Sequence, residues 1–389
     1  MENDMRAQAP IIIIGSGLAG YNVAREFRKL NQDSDLIIVA DDAAEFYSKP
    51  LLSNALMKKK AAAELATATA EKMAADLNAT ILKHTRVVKI DPTLQQIHTS
   101  NNESHTYSQL VLALGASTIR LNVAGNASDK ILSVNDLASY AAFREAINDK
   151  QRVAIIGAGL IGCEFANDLI LSDYQVSVIG NTALPLNQLL PVSAAEYLKN
   201  VLAEQGIDWH LGKSTQEINY DSGIFQIVFD DGSRLETDVV LSAIGLKPNI
   251  NIANEANLKI NKGIVVNRHL ETSVENIFAL GDCAEVENLF LPYVMPLMNS
   301  ARALAKSLNG DKTAVTYPAM PVMVKTPSCA LVVSPPATTV DGEWIINSDT
   351  DGVHASYRDK EGNLHGFALL GKAVEDKQRL TKELPAVLV

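Results

Sequence analysis

The sequence predicts an α/β protein with two similar parallel-sheet units and a smaller α+β domain near its end. Three observations predict this fold class. A glycine-rich turn between a short apolar run and a helical pattern occurs twice, at residues 15–20 and 157–162. Apolar strand patterns that end in glycine occur at Gly115 and again at Gly245. From residue 316 onwards the sequence changes to short strands separated by prolines.

The first unit begins with the apolar run Ile11 to Ile14, which leads directly into Gly15-Ser16-Gly17-Leu18-Ala19-Gly20. A helical pattern and a second apolar run, Leu36 to Val39, follow, and the second run ends near Asp41 and Asp42. The glycines permit a tight turn and let a pyrophosphate approach the helix N-terminus. Asp41 comes 21 residues after Gly20, where a carboxylate can bond a ribose 2′-OH. The pattern therefore predicts a Rossmann-like dinucleotide-binding unit.

The second unit repeats this order. The apolar run Arg152 to Ile156 leads into Gly157-Ala158-Gly159-Leu160-Ile161-Gly162, and a helix over 163–172 and a strand over 175–179 follow. Two such turns, each in its full context, predict that the chain binds two dinucleotides. Glu164 lies in the first turn of the predicted helix, where it is either a partner of the helix dipole or a functional carboxylate.

The second unit has no acid at the end of its second strand, where the sequence reads Gly180-Asn181-Thr182. Asn181 can still bond a ribose hydroxyl, and the next Lys or Arg in the sequence is Lys199. Because no nearby cation in the sequence is available for a 2′-phosphate, this strand end favours NAD over NADP.

The remaining patterns predict the other elements. They are a helix in the Ala-rich segment 61–77, two short strands within 80–91, a buried strand over 107–115, helices near 136–148 and 192–205, a hairpin over 224–240 that turns at Asp231-Gly232, a strand over 264–266 and a helix that starts at Pro296. The last domain is predicted to contain strands over 329–333, 343–347, 352–358 and 364–370 and a closing helix over 372–383.

Two further segments are predicted to reach the carboxyl edge of a parallel sheet, where ligands bind in such folds. The segment Thr272 to Asp282 contains an apolar strand that ends at Gly281, so that Asp282 can bond a sugar-alcohol chain. The loop 43–60 follows the second strand and carries Lys49 and Pro50. From its spacing alone, Lys49 is either a solvated residue after a turn or a positive charge beside a ligand.

Composition limits the possible functions. At 389 residues the chain is predicted to form two or three domains. The net charge of −11 argues against a general nucleic-acid-binding protein. Cys163, Cys283 and Cys329 show no disulfide framework and favour a reducing, cytoplasmic compartment. Neither a signal peptide nor a membrane-spanning helix is expected, and no metal site is predicted.

Taken together, these features resemble the two-dinucleotide-binding flavoprotein family over essentially the whole chain. The resemblance implies an FAD-binding domain in two parts, residues 1–117 and 247–317, an NAD-binding domain over 118–246 inserted between them, and a C-terminal domain over 318–389. Within the family, four segments are most similar to the rubredoxin reductases: Ser48-Lys49-Pro50, Gly157 to Glu164, Tyr293 to Met298 and Pro321 to Pro327.

The resemblance also implies the cofactors, FAD and NADH, and the residues that bind them. The implied FAD-binding residues are Gly15, Ser16, Gly17, Leu18, Ala19, Asp41, Asp42, Lys49, Pro50, Val88, Asp282, Val294 and Lys325. The implied NAD-binding residues are Gly157, Gly159, Leu160, Ile161, Gly162 and Glu164. Lys49 and Lys325 would contact the flavin and Glu164 would lie where the nicotinamide meets it, so these three are the implied catalytic residues.

The cysteine positions indicate how electrons leave the flavin. Related disulfide reductases have a redox-active Cys pair beside the flavin, and related peroxidases have one Cys in the loop after the acid. That loop reads Glu45-Phe46-Tyr47-Ser48-Lys49-Pro50 here, so the three cysteines are expected to be small buried residues. The resemblance then implies that hydride passes from NADH to the flavin and single electrons pass to rubredoxin, which supplies an alkane hydroxylase.

Two other functions are weighed against this one. An NADH reductase for ferredoxin, flavorubredoxin, quinone or oxygen would use the same Lys49 and Lys325. An NADH-sensing flavoprotein that recruits a partner when reduced would need long insertions or basic tails, which this sequence lacks. For rubredoxin, a local basic patch should steer docking. The candidates are Arg302 and Lys306 with residues 58–60, a lysine run that is otherwise a solvated helix end.

Overall fold

The computed structural model describes residues 9–389. The α-helices in this part of the chain are α1 (Leu18–Arg28), α2 (Ala70–Leu77), α3 (Leu137–Ile147), α4 (Leu160–Ile170), α5 (Val192–Glu204), α6 (Asn251–Glu255), α7 (Val294–Leu308) and α8 (Lys377–Glu383). Short 3₁₀ helices cover Lys49–Asn54, Ala62–Leu65, Gly281–Cys283 and Lys372–Asp376. Over residues 9–389, no helix combines the length and the apolar character that crossing a bilayer requires.

The strands fall into four groups along the chain. The first group is β1 (Ile11–Ile14), β2 (Leu36–Val39), β3 (Phe46–Tyr47), β4 (Ala66–Ala68), β5 (Thr80–Leu82), β6 (Val87–Asp91), β7 (Gln96–Thr99), β8 (Ser104–Thr106), β9 (Gln109–Leu112) and β10 (Ala116–Thr118). The second is β11 (Arg152–Ile156), β12 (Gln175–Gly180), β13 (Asp208–Leu211), β14 (Thr215–Asp221), β15 (Ile224–Phe229), β16 (Arg234–Thr237), β17 (Val239–Ser242) and β18 (Leu246–Pro248). The third is β19 (Ile264–Val266), β20 (Ile277–Ala279) and β21 (Ala284–Val286), and the last is β22 (Val322–Val324), β23 (Leu331–Ser334), β24 (Gly342–Ser348), β25 (Gly352–Asp359) and β26 (Leu364–Gly371).

The first parallel sheet has the strand order β20-β9-β1-β2-β5. Its central strand β1 consists of four buried isoleucines, because a parallel strand in the middle of a sheet is covered on both faces. Ile14, its last residue, pairs with Val39 of β2 and with Leu112 of β9, so three strands end level at one edge. The glycine turn 15–20 leaves the sheet from this edge. Strand β20 arrives from far along the chain and completes the sheet beside β9.

The second parallel sheet has the order β13-β12-β11-β17 and repeats this arrangement. Ile156 at the end of β11 pairs with Ile179 and with Ser242, and the turn 157–162 leaves from that edge. A three-stranded antiparallel sheet accompanies each parallel sheet: β6-β7-β8 in the first unit and β14-β15-β16 in the second. Strands β10 and β18 pair antiparallel where the chain passes into and out of the second unit. The domain limits given above remain predictions.

The last part of the chain is a five-stranded antiparallel sheet with the order β22-β23-β26-β25-β24. Phe367 and Leu369 on β26 pack with Leu380 of α8 in a small core of their own. This agrees with the predicted α+β domain. The loop that follows β22 begins at Lys325 and faces helix α4 of the second unit, which matters for the site described below.

Three predicted elements differ from the structure. The prediction of one helix over 61–77 is wrong, because Ala62–Leu65 is a 3₁₀ turn, β4 pairs with β3, and only Ala70–Leu77 is α-helical. Pairing with a distant strand outweighs the local helix preference of alanine here. The second difference is the closing helix predicted over 372–383, because Lys372–Asp376 is a 3₁₀ helix and only Lys377–Glu383 is α-helical. The hairpin predicted over 224–240 is present as β15 and β16, and β14 adds a third strand to it.

The third difference concerns two helix starts. Helix α4 begins at Leu160 rather than at 163, and α7 begins at Val294 rather than at Pro296. In both helices, the first turn therefore contains residues that the sequence analysis places beside a cofactor.

Candidate active site

The first glycine turn leaves open space where a ligand would lie. Gly15 has φ +115° and a Cβ added to it would lie 2.2 Å from the Ala113 carbonyl oxygen. A Cβ on Gly20 would lie 1.9 Å from the Gly15 carbonyl oxygen. A Cβ on Gly17, however, would meet no protein atom within 4 Å. The protein's own packing requires the outer glycines, whereas the open position at Gly17, next to the N-terminus of α1, fits a bound pyrophosphate.

The second turn has the same property. Gly157 has φ +121°, and a Cβ there would lie 2.4 Å from the Ala243 carbonyl oxygen. A Cβ on Gly162 would lie 1.9 Å from the Gly157 carbonyl oxygen, whereas a Cβ on Gly159 would meet nothing within 4 Å. Both turns therefore suit a pyrophosphate, and Ile161 in the first turn of α4 is among the exposed apolar side chains.

The two acids after β2 have different surroundings. Asp42 accepts hydrogen bonds from Ser16 Oγ at 3.2 Å and from the Ala44 N–H at 2.9 Å, so it fixes the glycine turn. Asp41 points to the surface and forms an ion pair with Arg86 at 2.7 Å. Arg86, which sequence reasoning missed, therefore lies at the strand end where Asp41 is expected to face a ribose.

The strand after Arg86 carries Val88, the residue expected to hold an adenine through its backbone. The pairing of β6 with β7 shifts between Val87 and Lys89, so it omits Val88. Val88 is also 48% exposed. A backbone outside the strand pairing at an open edge is compatible with the expected contact.

Asp282 lies beside the first glycine turn, as expected. It belongs to the 3₁₀ turn after β20, and a Cβ on its neighbour Gly281 would lie 3.0 Å from the Ala19 Cβ. Burial raises the pKa of the Asp282 carboxyl, and the positive charge of Lys49 opposes that shift. The structure thus brings Lys49, Asp282 and the turn 15–20 together from three distant parts of the sequence.

Lys49 is half-buried among polar groups rather than solvated. Burial lowers the pKa of its ammonium, and the negative charges of Asp282, Asp136 and Asp42 oppose that effect. Its Nζ donates a hydrogen bond to Asn135 Oδ1 at 3.2 Å, and Asn135 in turn donates to the Ala116 carbonyl at 2.7 Å. Asn135, a further residue that sequence reasoning missed, thus orients the Lys49 side chain. Pro50 fixes the backbone next to it, as the second residue of a 3₁₀ helix.

Glu164 is the most deeply buried acid of the site, with 1% of its surface exposed. Its Oε2 accepts hydrogen bonds from Lys325 Nζ at 2.5 Å and from Ser53 Oγ at 2.6 Å. Its Oε1 accepts one from the Lys325 backbone N–H at 3.0 Å. Glu164 is therefore more than a partner of the helix dipole, because it binds two segments far away in the sequence.

Two more polar side chains on the same face of α4 strengthen this junction. Asn167 donates to Ser328 Oγ at 2.7 Å and accepts from the Ser328 N–H at 3.1 Å. Asp168 accepts the N–H groups of residues 56 and 57 at 3.0 and 2.9 Å. Residues three and four positions apart share a helix face, which is why Glu164, Asn167 and Asp168 act together. Sequence reasoning missed the last two, although polar residues within an otherwise apolar helix were a signal.

Val294 and the candidate docking residues lie on helix α7. Val294 is the first residue of this helix, where a backbone N–H has no acceptor within the helix and can bond a ligand. Arg302 and Lys306 are exposed further along the same helix, and residues 58–60 are exposed as well. The structure shows these cations on the surface, and their role in docking remains a prediction.

All three cysteines are free and buried, as predicted. Burial raises the pKa of the Cys163 and Cys283 thiols to about 12 and that of Cys329 to about 11. A thiol with so high a pKa is a poor nucleophile at neutral pH. No thiol pair in the described chain is therefore suited to carry electrons away from a flavin.

Comparison with known proteins agrees with this geometry. Residues 9–305 match the pyridine nucleotide-disulphide oxidoreductase family. The chain belongs to this family. Residues 314–384 match the rubredoxin binding C-terminal domain. The fold class predicted from the sequence and its resemblance to this group of flavoproteins are thus confirmed.

Relatives and solved structures of this oxidoreductase family span nearly the whole chain. A rubredoxin-NAD(+) reductase of Alcanivorax borkumensis is 46% identical over 380 residues, which are 97% of this chain and 99% of that protein. A nitric oxide reductase FlRd-NAD(+) reductase of Aliivibrio fischeri is 35% identical over 375 residues, 96% of this chain and 98% of that protein. A covalent putidaredoxin reductase–putidaredoxin complex is similar with a TM-score of 0.87 and 26% identity, covering 97% of this chain and 94% of that one.

The two kinds of glycine in each turn should respond differently to the same substitution. Gly162→Ala should lower the free energy of unfolding by at least about 2 kcal/mol, because its Cβ would collide with the Gly157 carbonyl. Gly159→Ala, the matched control, should unfold like the wild type but bind NAD⁺ more weakly. Urea unfolding and calorimetric titration measure the two effects. Unchanged NAD⁺ affinity in Gly159→Ala would contradict this assignment of the site.

Removing Lys325 alone should destabilise the protein more than removing both charges of its ion pair with Glu164. Lys325→Met should cost about 3 kcal/mol of stability, because the buried carboxylate loses its counter-charge. Adding Glu164→Gln in the double variant should recover most of that loss. Lys360→Met breaks a lysine–aspartate pair on the surface and should change stability little. Urea unfolding of the four proteins checks this, and a stable Lys325→Met variant would show that the pair is not needed.

The thiols should be unreactive in the native protein. At pH 8 a thiol with a pKa of about 11 is ionised to a fraction on the order of 10⁻³, and one with a pKa of about 12 to less. Ellman's reagent should therefore release no fast signal from native protein and three equivalents after denaturation, since the sequence holds three cysteines. Raising the pH to 9 should leave native labelling slow. A fast-reacting thiol that stops NADH turnover would overturn this interpretation.

Proposed function

We propose that the protein is an NADH-dependent FAD enzyme that takes a hydride from NADH and passes single electrons to rubredoxin. One observation carries the proposal. The C-terminal part of the chain matches a rubredoxin-binding domain, and Lys325 from that part forms an ion pair with Glu164 of the second nucleotide unit. The domain that would receive rubredoxin is therefore in direct contact with the predicted redox site.

FAD is proposed to bind at the first turn. Ser16 to Ala19 and the N-terminus of α1 would hold the pyrophosphate, with Asp41 and Asp42 on the ribose side. Val88 would bond the adenine edge, and Asp282 the ribityl chain. The domain limits predicted above, with residues 1–117 and 247–317 around FAD, 118–246 around NAD and 318–389 at the end, belong to this proposal.

The chain's own groups would tune the flavin ring. When bound, FAD supplies the change from two-electron to one-electron transfer. Lys49 and Lys325 would stabilise negative charge on the ring, and the N–H of Val294 at a helix start would do the same at a ring carbonyl. Glu164 holds Lys325 in place through its backbone N–H and its ammonium group. Pro50 restricts the backbone that carries Lys49.

NADH is proposed to bind at the second turn. Gly157, Gly159 and Gly162 shape that turn, and Leu160 and Ile161 present backbone N–H groups at the start of α4. The nicotinamide would extend towards Glu164. The three buried thiols support direct electron transfer from the flavin to an external acceptor, since none is suited to an intermediate disulfide.

A second candidate acceptor also has an observation in its favour. The Aliivibrio fischeri relative is named a nitric oxide reductase FlRd-NAD(+) reductase, a name that gives FlRd in place of rubredoxin. An NADH reductase for flavorubredoxin, ferredoxin, quinone or oxygen would use the same site. The higher identity to a rubredoxin-NAD(+) reductase favours rubredoxin.

A cytoplasmic location and an alkane hydroxylase downstream of rubredoxin complete the proposal.

Stopped-flow reduction followed by reoxidation tests the function. NADH should reduce the flavin much faster than NADPH does, because Asn181 and its neighbours offer no free cation to a 2′-phosphate. Rubredoxin should then reoxidise the flavin faster than ferredoxin or oxygen, with ferricyanide as the control that any reduced flavin accepts. Slow reoxidation by rubredoxin would contradict the carrier assignment, and equal rates with NADPH would contradict the assignment to NADH.

A further inference from the structure

The two nucleotide units repeat each other at the level of single backbone hydrogen bonds. In the first unit, Thr85 N–H bonds the Ala40 carbonyl at 2.8 Å, just beyond the ends of β2 and β5. In the second, Lys213 N–H bonds the Gly180 carbonyl at 3.1 Å at the ends of β12 and β13. Ala40 therefore corresponds to Gly180, and Thr85 corresponds to Lys213.

A second bond in each unit confirms this correspondence. His84 N–H bonds the Asp42 carbonyl at 2.8 Å, and Gly212 N–H bonds the Thr182 carbonyl at 2.9 Å. The correspondence therefore has no insertion or deletion between the two bonds.

It follows that Asp41, between the two paired positions of the first unit, corresponds to Asn181. One residue after Thr85, Arg86 extends its side chain to Asp41, so a side chain from this loop reaches the strand end where a ribose would lie. In this correspondence Arg86 matches Ser214, and the backbone of Lys213, bonded to the Gly180 carbonyl, lies at the strand end that carries Asn181. A cation, Lys213, is thus close to this strand end in space, although it is distant from it in the sequence.

The hairpin turn beside the loop after β13 also has a counterpart in the first unit. Thr99 N–H bonds the Glu103 carbonyl at 3.0 Å, and Phe229 N–H bonds the Ser233 carbonyl at 3.0 Å. Asp231 in this second turn therefore occupies the place of a neutral residue, residue 101, in the first.

Asp231 holds the Lys213 side chain. Lys213 Nζ lies 2.8 Å from Asp231 Oδ2 and 2.9 Å from Ser233 Oγ, over the face of the Phe229 ring. The Asp231 carboxylate also accepts the Ser233 N–H at 2.9 Å, so the turn fixes it in place. The other acid at this turn, Asp230, is bonded to the Ser214 N–H at 3.1 Å. Lys213 is therefore directed to the hairpin rather than to the strand end.

We propose that Asp231 sets the preference of the second site for NADH over NADPH by holding the Lys213 ammonium away from a ribose 2′-phosphate. The inference rests on the proposed NADH site. Asn181 has no negative charge with which to repel a phosphate, so the strand end itself does not exclude NADPH. The exclusion of NADPH then depends on neutralising Lys213, the cation of the loop after β13. A lysine released from its carboxylate would pair with a phosphate dianion instead.

Asp231→Asn in the FAD-loaded protein tests the proposal directly. The amide keeps the size of the side chain but removes the charge that holds Lys213. Calorimetric titration should show that the affinity for NADP⁺ rises about tenfold relative to that for NAD⁺, the scale of one charge-assisted contact. The affinity for 2′,5′-ADP should rise by the same factor relative to 5′-AMP, which differs only in lacking the 2′-phosphate. Asp231→Ser should act in the same direction.

Two control variants distinguish the loss of the Lys213–Asp231 ion pair from a general change in the charge of the protein. The double variant Asp231→Asn/Lys213→Gln should return both ratios to their wild-type values. Asp341→Asn removes an acid from a lysine pair in the last domain and should leave the ratios unchanged. If NAD⁺ itself does not bind to the wild type, the proposed function fails. If NAD⁺ binds and Asp231→Asn leaves the ratios unchanged, or if the double variant keeps the gain, the inference on Asp231 is wrong.

Discussion

Burial of the Glu164 carboxylate requires partners for both of its oxygens, and the arrangement of the site depends on how they are supplied. An unpaired carboxylate in a protein interior costs several kcal/mol. Here a lysine, a backbone N–H and a serine hydroxyl satisfy it, and they come from two distant segments. Helix α4 also starts at the second glycine turn, where NAD is proposed to bind. The same helix therefore fixes the positions of residue 53 and residue 325.

The same helix therefore connects three parts of the chain. Ser53 belongs to the 3₁₀ helix that begins at Lys49, so the bond to Glu164 also restrains the lysine beside Asp282. Asp168 binds the N–H groups that follow that 3₁₀ helix, and Asn167 binds the loop after β22. A rotation of the last domain relative to α4 would break the bonds of Glu164 to Lys325 and of Asn167 to Ser328 together. The geometry between the two nucleotide turns is consequently set by side chains rather than by the sheets alone.

Sequence patterns predict the sheets and turns well because those depend on local spacing. The isoleucines of β1 and the glycines at 15–20 carry their own signal, as do Gly157 to Gly162. What the sequence could not reveal lies in contacts between distant residues. Residues 66–68 are strand because they meet β3, although alanine favours helix. Lys49 was ambiguous from spacing, and only its contact with Asn135, 86 residues away, shows that it is not a freely solvated lysine.

Because no thiol of the chain is suited to carry electrons, the last domain is important for bringing an electron acceptor to the flavin. Where a cysteine pair accepts electrons beside the flavin, an external carrier can be reached through that pair. In this chain the thiols are buried, so a carrier must come close to the flavin itself. The C-terminal domain brings Lys325 to Glu164 and also carries Met323, which is 60% exposed two residues earlier. A segment that is fixed at one end in the proposed redox site and exposed at the other is suited to bring a carrier within electron-transfer distance.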